Sequence, residues 1–125
     1  MSGASVGIVV LALGGGVGCA ARAAVREWLV ARGISAAVAI LGVNLLGAAL
    51  AGAAVGAASD SGSPVRIAAI AVLSGWTTYS AFSTDFLGAC RDRRYARAAV
   101  LWIGTILAAP PLAGLAARIA SEAVR

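Results

Sequence analysis

Histidine and lysine are absent from this sequence, and cysteine occurs only at Cys19 and Cys90. Without histidine there is no imidazole base, no Cys–His nucleophile pair and none of the mixed Cys–His sets that hold zinc. The two cysteines form no CxxC pair and read as small apolar fillers, which leaves the redox compartment open. Charge is scarce as well, at 12% of residues. A soluble domain carries about twice that share. What fills the chain is apolar: 61% of its 125 residues, with a mean hydropathy of +0.93. A chain with so little polar surface cannot cover a globule in water, so its solvent is lipid.

The net charge of +5 comes from ten arginines against five acids. A basic balance raises nucleic acid as a partner. The arginines do not line a helix face with interleaved aromatics, however. They sit in the gaps between apolar runs, where membrane proteins carry their positive charge, and nucleic acid is rejected. Met1 to Gly18 is apolar but has no positive leading region, since the first charge is Arg22. It reads as a retained first span rather than a signal peptide.

A spanning helix needs about 20 mostly apolar residues. Four stretches qualify, at about 5–24, 35–58, 65–89 and 98–117. The turn-rich segment from Ser59 to Pro64 separates the second from the third, and Arg91-Asp92-Arg93-Arg94 closes the third. The expected fold is an all-α membrane protein, with residues 1–125 forming a single domain of four transmembrane helices. Short loops make neighbouring helices antiparallel. The glycines of the first two spans suit close helix packing without a wide aqueous pore. Pro110-Pro111 predicts a kink in the fourth. With the N-terminus on side one, the loops of side two carry seven arginines and those of side one carry Arg66, Arg118 and Arg125. That bias puts both termini outside the cytoplasm.

Polar residues within the spans are concentrated in one place. From Ser74 to Asp85 the sequence reads Ser-Gly-Trp-Thr-Thr-Tyr-Ser-Ala-Phe-Ser-Thr-Asp, with six Ser/Thr hydroxyls and a tyrosine in twelve positions. Each hydroxyl needs a partner at bilayer depth. Bonding back to the preceding turn would satisfy one or two of them. The whole cluster predicts a helix broken near mid-membrane and lining a site, because non-helical backbone survives there only inside protein or beside a cavity.

Gly75-Trp76-Thr77-Thr78-Tyr79-Ser80-Ala81-Phe82 resembles the third-helix motif of the CrcB, or Fluc, fluoride channels, which reads Gly-x-Thr-Thr-Phe-Ser-Thr-Phe. Asn44 with Gly47, and the glycine-rich run Gly14–Gly18 leading to Arg22, resemble that family's second and first helices. The resemblance covers the whole chain and implies a fluoride-selective channel in the cell (plasma or inner) membrane. That channel would be an antiparallel, dual-topology dimer with two narrow pores, giving passive efflux of fluoride. It assigns the ion path to Asn44, Tyr79, Ser80, Phe82, Ser83 and Thr105, and gives Arg22 and Gly75 structural places. It also implies a structural sodium ion at the dimer centre, held by the backbone carbonyls of Ser74 and Thr77 from both subunits. Tyr79 and Phe82 are three apart and share a helix face, with ring edges that carry partial positive charge. Asn44 suits either an amide donor to the ion or a helix–helix hydrogen bond.

The chain departs from the pattern at Ser74, where the family has Gly, at Tyr79 for Phe, and at Ala81 for Thr. The fourth span offers only Thr105 where the family has a track of hydroxyls. Trp102 and Trp28 read as packing or interfacial residues. The arginine bias also bears on assembly. A homodimer inserted both ways should show little bias, so seven against three points to pairing with an oppositely biased relative. Two rival readings differ in kind. A small multidrug exporter needs an acid embedded in its first span, and here Glu27 stands only at the end of that span. A non-transporting membrane scaffold gives no reason for the hydroxyl–aromatic cluster. An enzyme lacks any nucleophile–base pair or metal constellation.

Overall fold

The computed structural model describes residues 3–58, 63–77 and 79–124, so the 59–62 turn, Thr78 of the motif and Arg125 lie outside the described residues. Within them the chain is helical, with no strand. Helix α1 runs Gly3–Ala31 and α2 runs Ala36–Ala57. They are followed by α3, Pro64–Trp76, and α4, Tyr79–Arg91. Helix α5, Tyr95–Trp102, continues through a π-helical segment, Ile103–Ala108, into α6, Ala109–Ala123.

Helix α1 extends seven residues beyond its predicted end, past Arg22, Arg26 and Glu27. Charges limit how far a span stays in lipid, but Arg and Glu are good helix formers and do not stop a helix. Gly33 does, at φ +87°. Gly33 N–H donates to Val30 C=O (2.9 Å) and Ile34 N–H to Leu29 C=O (3.1 Å), the paired bonds of a left-handed C-terminal cap. Arg93 closes α4 in the same way at φ +56°, with Arg94 N–H donating to Ala89 C=O (2.8 Å). Here the left-handed position carries a side chain instead of glycine.

Among the described residues, three helical stretches are long and apolar enough to cross a bilayer: Ser5–Ala31, Ala36–Ala57 and Tyr95–Ala123. The third span expected from the sequence, 65–89, is instead occupied by α3 and α4, of 13 residues each. Each reaches about 20 Å, short of a hydrocarbon core of about 30 Å. In the last span a π-helical segment, Ile103–Ala108, shortly precedes Pro110-Pro111, where the sequence predicts a kink. The two prolines lack the N–H groups that would bond Ile106 and Leu107, and their rings crowd those carbonyls. The π-helical segment lies before them, and the helix continues.

Helix α2 sits at the centre, packed against α1, α3, α4, α5 and α6. A third of its most apolar window is buried, against 6% in α1 and 11% in the last span. The faces those helices turn outward are apolar, with Ile8, Leu13, Val17, Leu107 and Ile119 exposed, as lipid or a second subunit requires. Two crossings bring backbones into contact. A Cβ on Gly52 or Gly56 would overlap the carbonyl oxygens of Ala113 and Ala117, respectively, in α6. Likewise, a Cβ on Gly75 of α3 would overlap the Gly15 carbonyl of α1. Small residues four apart on both partners allow this approach, which dispersion rewards in lipid.

Two substitutions test this account by thermal unfolding in detergent. Arg93→Gly should stabilise the protein by about 1 kcal/mol, because glycine adopts a positive φ freely. Gly52→Leu should destabilise it by at least about 2 kcal/mol, because the α2–α6 backbones must separate.

Candidate functional site

Asn44 stands midway along α2 and is 7% exposed. Three residues on, Gly47 leaves the helix surface open, and the end of α3 docks there. A Cβ on Gly47 would lie 2.7 Å from both the Trp76 ring and the Thr77 methyl. Trp76 Nε1 donates to the Val43 carbonyl at 2.8 Å, pinning this docking one residue from Asn44. Immediately after Trp76 the backbone leaves the helix, with Thr77 extended at φ −79°, ψ 143°. Helix α4 starts at Tyr79, so the positive end of its dipole lies beside the same point.

These elements border an open pocket of about 260 Å³ lined by Asn44, Ala48, Thr77, Tyr79, Thr105 and Ala109. No charged side chain lines it. Thr105 comes from the π-helical segment. Its Oγ1 is buried and makes no hydrogen bond. Other hydroxyls do what helix hydroxyls ordinarily do and donate to the preceding turn. Ser74 donates to Ala71 C=O (2.8 Å) and Thr77 to Leu73 C=O (3.1 Å). Ser83 and Thr84 both donate to Ser80 C=O (2.9 Å each). Back-bonding therefore satisfies four hydroxyls of the cluster, more than its sequence suggested. Among the described residues, Thr105 Oγ1 is the one buried Ser or Thr hydroxyl without a partner.

The aromatic residues form a ladder along α4. Tyr79 and Phe82 lie 5.5 Å apart between ring centroids, tilted by 47°, and Phe82 and Phe86 lie 5.9 Å apart at 27°. Their surroundings differ. Phe82 is 4% exposed and packs on Ala37, Ile40 and Leu101, whereas Tyr79 is 71% exposed on the single chain.

A second cleft of about 350 Å³ lies between α1 and α4, lined by Arg22, Arg26, Glu27, Ser80, Thr84 and Asp85 among others. Arg22 Nη2 reaches Cys19 Sγ (3.1 Å), while Arg22 Nε and Asp85 Oδ2 are buried and unbonded. The fold thus gathers Asn44, Thr77, Tyr79 and Thr105 in one cavity and places Arg22 and Ser80 in the other. Ser74, Gly75, Phe82 and Ser83 line neither; Gly75 meets Gly15, and Phe82 is core. Sequence reasoning missed Trp76, whose indole sets the docking, and Phe86, which extends the ladder. The four-residue spacing of Phe82 and Phe86 was the available signal for the latter.

Thr105→Val replaces a buried, unbonded hydroxyl with a methyl group of the same shape. It should raise the unfolding free energy in detergent by about 1 kcal/mol or more, where Ser121→Ala, at a hydroxyl bonded to Arg118 C=O, should not.

The sequence model of the family described as "CrcB-like protein, Camphor Resistance (CrcB)" matches residues 9–117. No curated protein and no solved structure matches the chain.

Proposed function

The chain belongs to the CrcB family, and from that membership we propose that it is a fluoride-selective channel giving passive efflux of fluoride across the cell membrane. The observation that carries this reading is the open pocket, free of charged side chains, that Asn44, Thr77, Tyr79 and Thr105 line together. Fluoride is a small, strongly hydrated anion, and donors must replace its water. An amide and a hydroxyl do so without a fixed cation. Aromatic ring edges add a weak positive potential. Conduction requires that the ion leave as readily as it enters, and a full arginine charge in the cavity would hold it.

The physiological logic is simple. Hydrofluoric acid crosses lipid as the neutral acid and ionises inside, where the anion is trapped. A channel lets it leave down its gradient with no ATP and no coupling carboxylate.

On this reading α3 and α4 together form one span, interrupted at Thr77 near mid-membrane. Two subunits pack antiparallel and enclose two pores, and Tyr79, exposed on one chain, turns towards its partner. The seven-to-three arginine bias favours a related subunit of opposite bias as that partner. The sodium ion implied by the family would sit where α3 ends at Trp76, since carbonyls at a helix C-terminus commonly lack intrahelical donors and such oxygens suit a hard cation. Ser74 and Thr77 stand on either side of that stop and would hold the ion jointly with their counterparts in the second subunit. Bound there, it would neutralise carbonyl dipoles between the subunits.

Fluoride release from proteoliposomes, read with a fluoride electrode beside a chloride control, tests the function. Fast fluoride loss with chloride retained is expected. Asn44→Ala and Thr105→Val should each slow it about tenfold or more, a barrier change of about 1.4 kcal/mol. No fluoride loss, even with a co-expressed relative, would overturn the reading. Blue-native electrophoresis of the chain expressed alone tests the partner. A stable, conducting dimer would exclude the need for a second kind of subunit.

A further inference from the structure

Between α2 and α5, on the outside of the bundle, runs an apolar groove of about 290 Å³. Ala37, Val38 and Leu41 form one wall and Val100 and Leu101 the other, with Arg97 among the lining residues. Arg97 Nε is buried and makes no hydrogen bond. A buried guanidinium nitrogen without an acceptor is costly, and the charge it belongs to asks for an anion.

Among the described residues no acceptor bonds Arg97 Nε. Arg94 is the N-cap of α5, with no side-chain capping bond, and Arg97 falls in the helix's first turn, which holds no acidic residue. Positive side chains at the positive end of a helix dipole repel it, the reverse of the usual preference. Arg91, Arg93 and Arg94 stand exposed at the same end, with Asp92 the one acid among them. Tyr95, 65% exposed, lies at the first helical position, where an amphipathic ring suits the membrane interface. This end of the span Tyr95–Ala123 is the side that the arginine bias assigns to the cytoplasm, where the membrane surface is negative.

We propose that the α2–α5 groove is a docking site for an anionic phospholipid, with its phosphate headgroup on Arg97 and Arg94 and its acyl chain laid against Val38, Leu41 and Val100. Charge complementarity selects the headgroup and the apolar walls select the chain. Free phosphate would satisfy the arginines but leave the groove unfilled. The site is distinct from the Asn44 cavity and does not depend on fluoride conduction. By holding one end of the bundle to the negative leaflet, it would favour a single orientation.

Native mass spectrometry of the detergent-purified protein, loaded with phosphatidylglycerol or phosphatidylcholine, tests the site. The intact protein should retain phosphatidylglycerol at least fivefold more than phosphatidylcholine. Arg97→Gln should abolish that preference. Val100→Trp, which fills the groove from a position already 56% exposed, should lower retention of both lipids. Arg66→Gln, near the opposite end of the bundle, should change neither. Equal retention by Arg97→Gln and the unaltered protein would overturn the proposal. So would displacement of the lipid by inorganic phosphate at equal concentration, which would make the site one for a free anion. Loss of a dimer on Val100→Trp with lipid retention unchanged would also overturn it, assigning the groove to a second copy.

Discussion

Helix backbones in this protein touch at two crossings, and the spacing of everything else follows from them. Gly52 and Gly56 meet Ala113 and Ala117 where α2 crosses α6, and Gly15 meets Gly75 where α1 crosses α3. In lipid the usual hydrophobic gain between helices is missing, so association rests on close contact and on polar groups that find partners inside the protein. The first crossing holds the last span against α2 and carries Thr105 to the level of Asn44. The second fixes the end of α3, so that Trp76 can seat on Gly47 and bond the Val43 carbonyl.

The polar groups follow the same constraint. An uncapped hydroxyl in a bilayer has few places to donate, and most here turn back onto their own helix. That leaves those that do not as the informative ones. Thr105 sits in the π-helical segment that precedes the two prolines, where the helix is wide. The π-helical segment keeps the span continuous and places Thr105 among the residues that line the pocket. Arg97 and the Arg22–Asp85 cleft are the other buried polar atoms left without partners among the described residues, and both lie towards the end of the bundle that carries most of the arginines.

Much of this was legible in the sequence. Apolar runs placed α1, α2 and the last span within a few residues at most ends, because lipid demands about 20 apolar residues whatever their packing. The density of polar groups from Ser74 to Asp85 set this segment apart from the apolar spans, and α3 ends within it at Trp76. Asn44 stood out because an amide in an otherwise uncharged span must serve something. The ends of helices were less legible. Arg22, Arg26 and Glu27 mark the membrane boundary of α1, but its backbone runs on to a glycine cap, because helix stability and lipid solubility are separate requirements.

What the sequence determined alone was the solvent, the helical class, the rough spans and the family to which the motif points, all of which depend on composition and short-range pattern. Tertiary structure decided which of the polar residues meet. Asn44, Thr77, Tyr79 and Thr105 are up to 61 positions apart, and only the glycine crossings bring them to one cavity. It also separated Phe82 from Tyr79 in role: the two share a helix face, yet one is sealed into the core by Ile40 and Leu101 and the other is left open. Periodicity can say that two rings point the same way. Only the elements packed opposite them determine whether that direction leads into the protein or out of it.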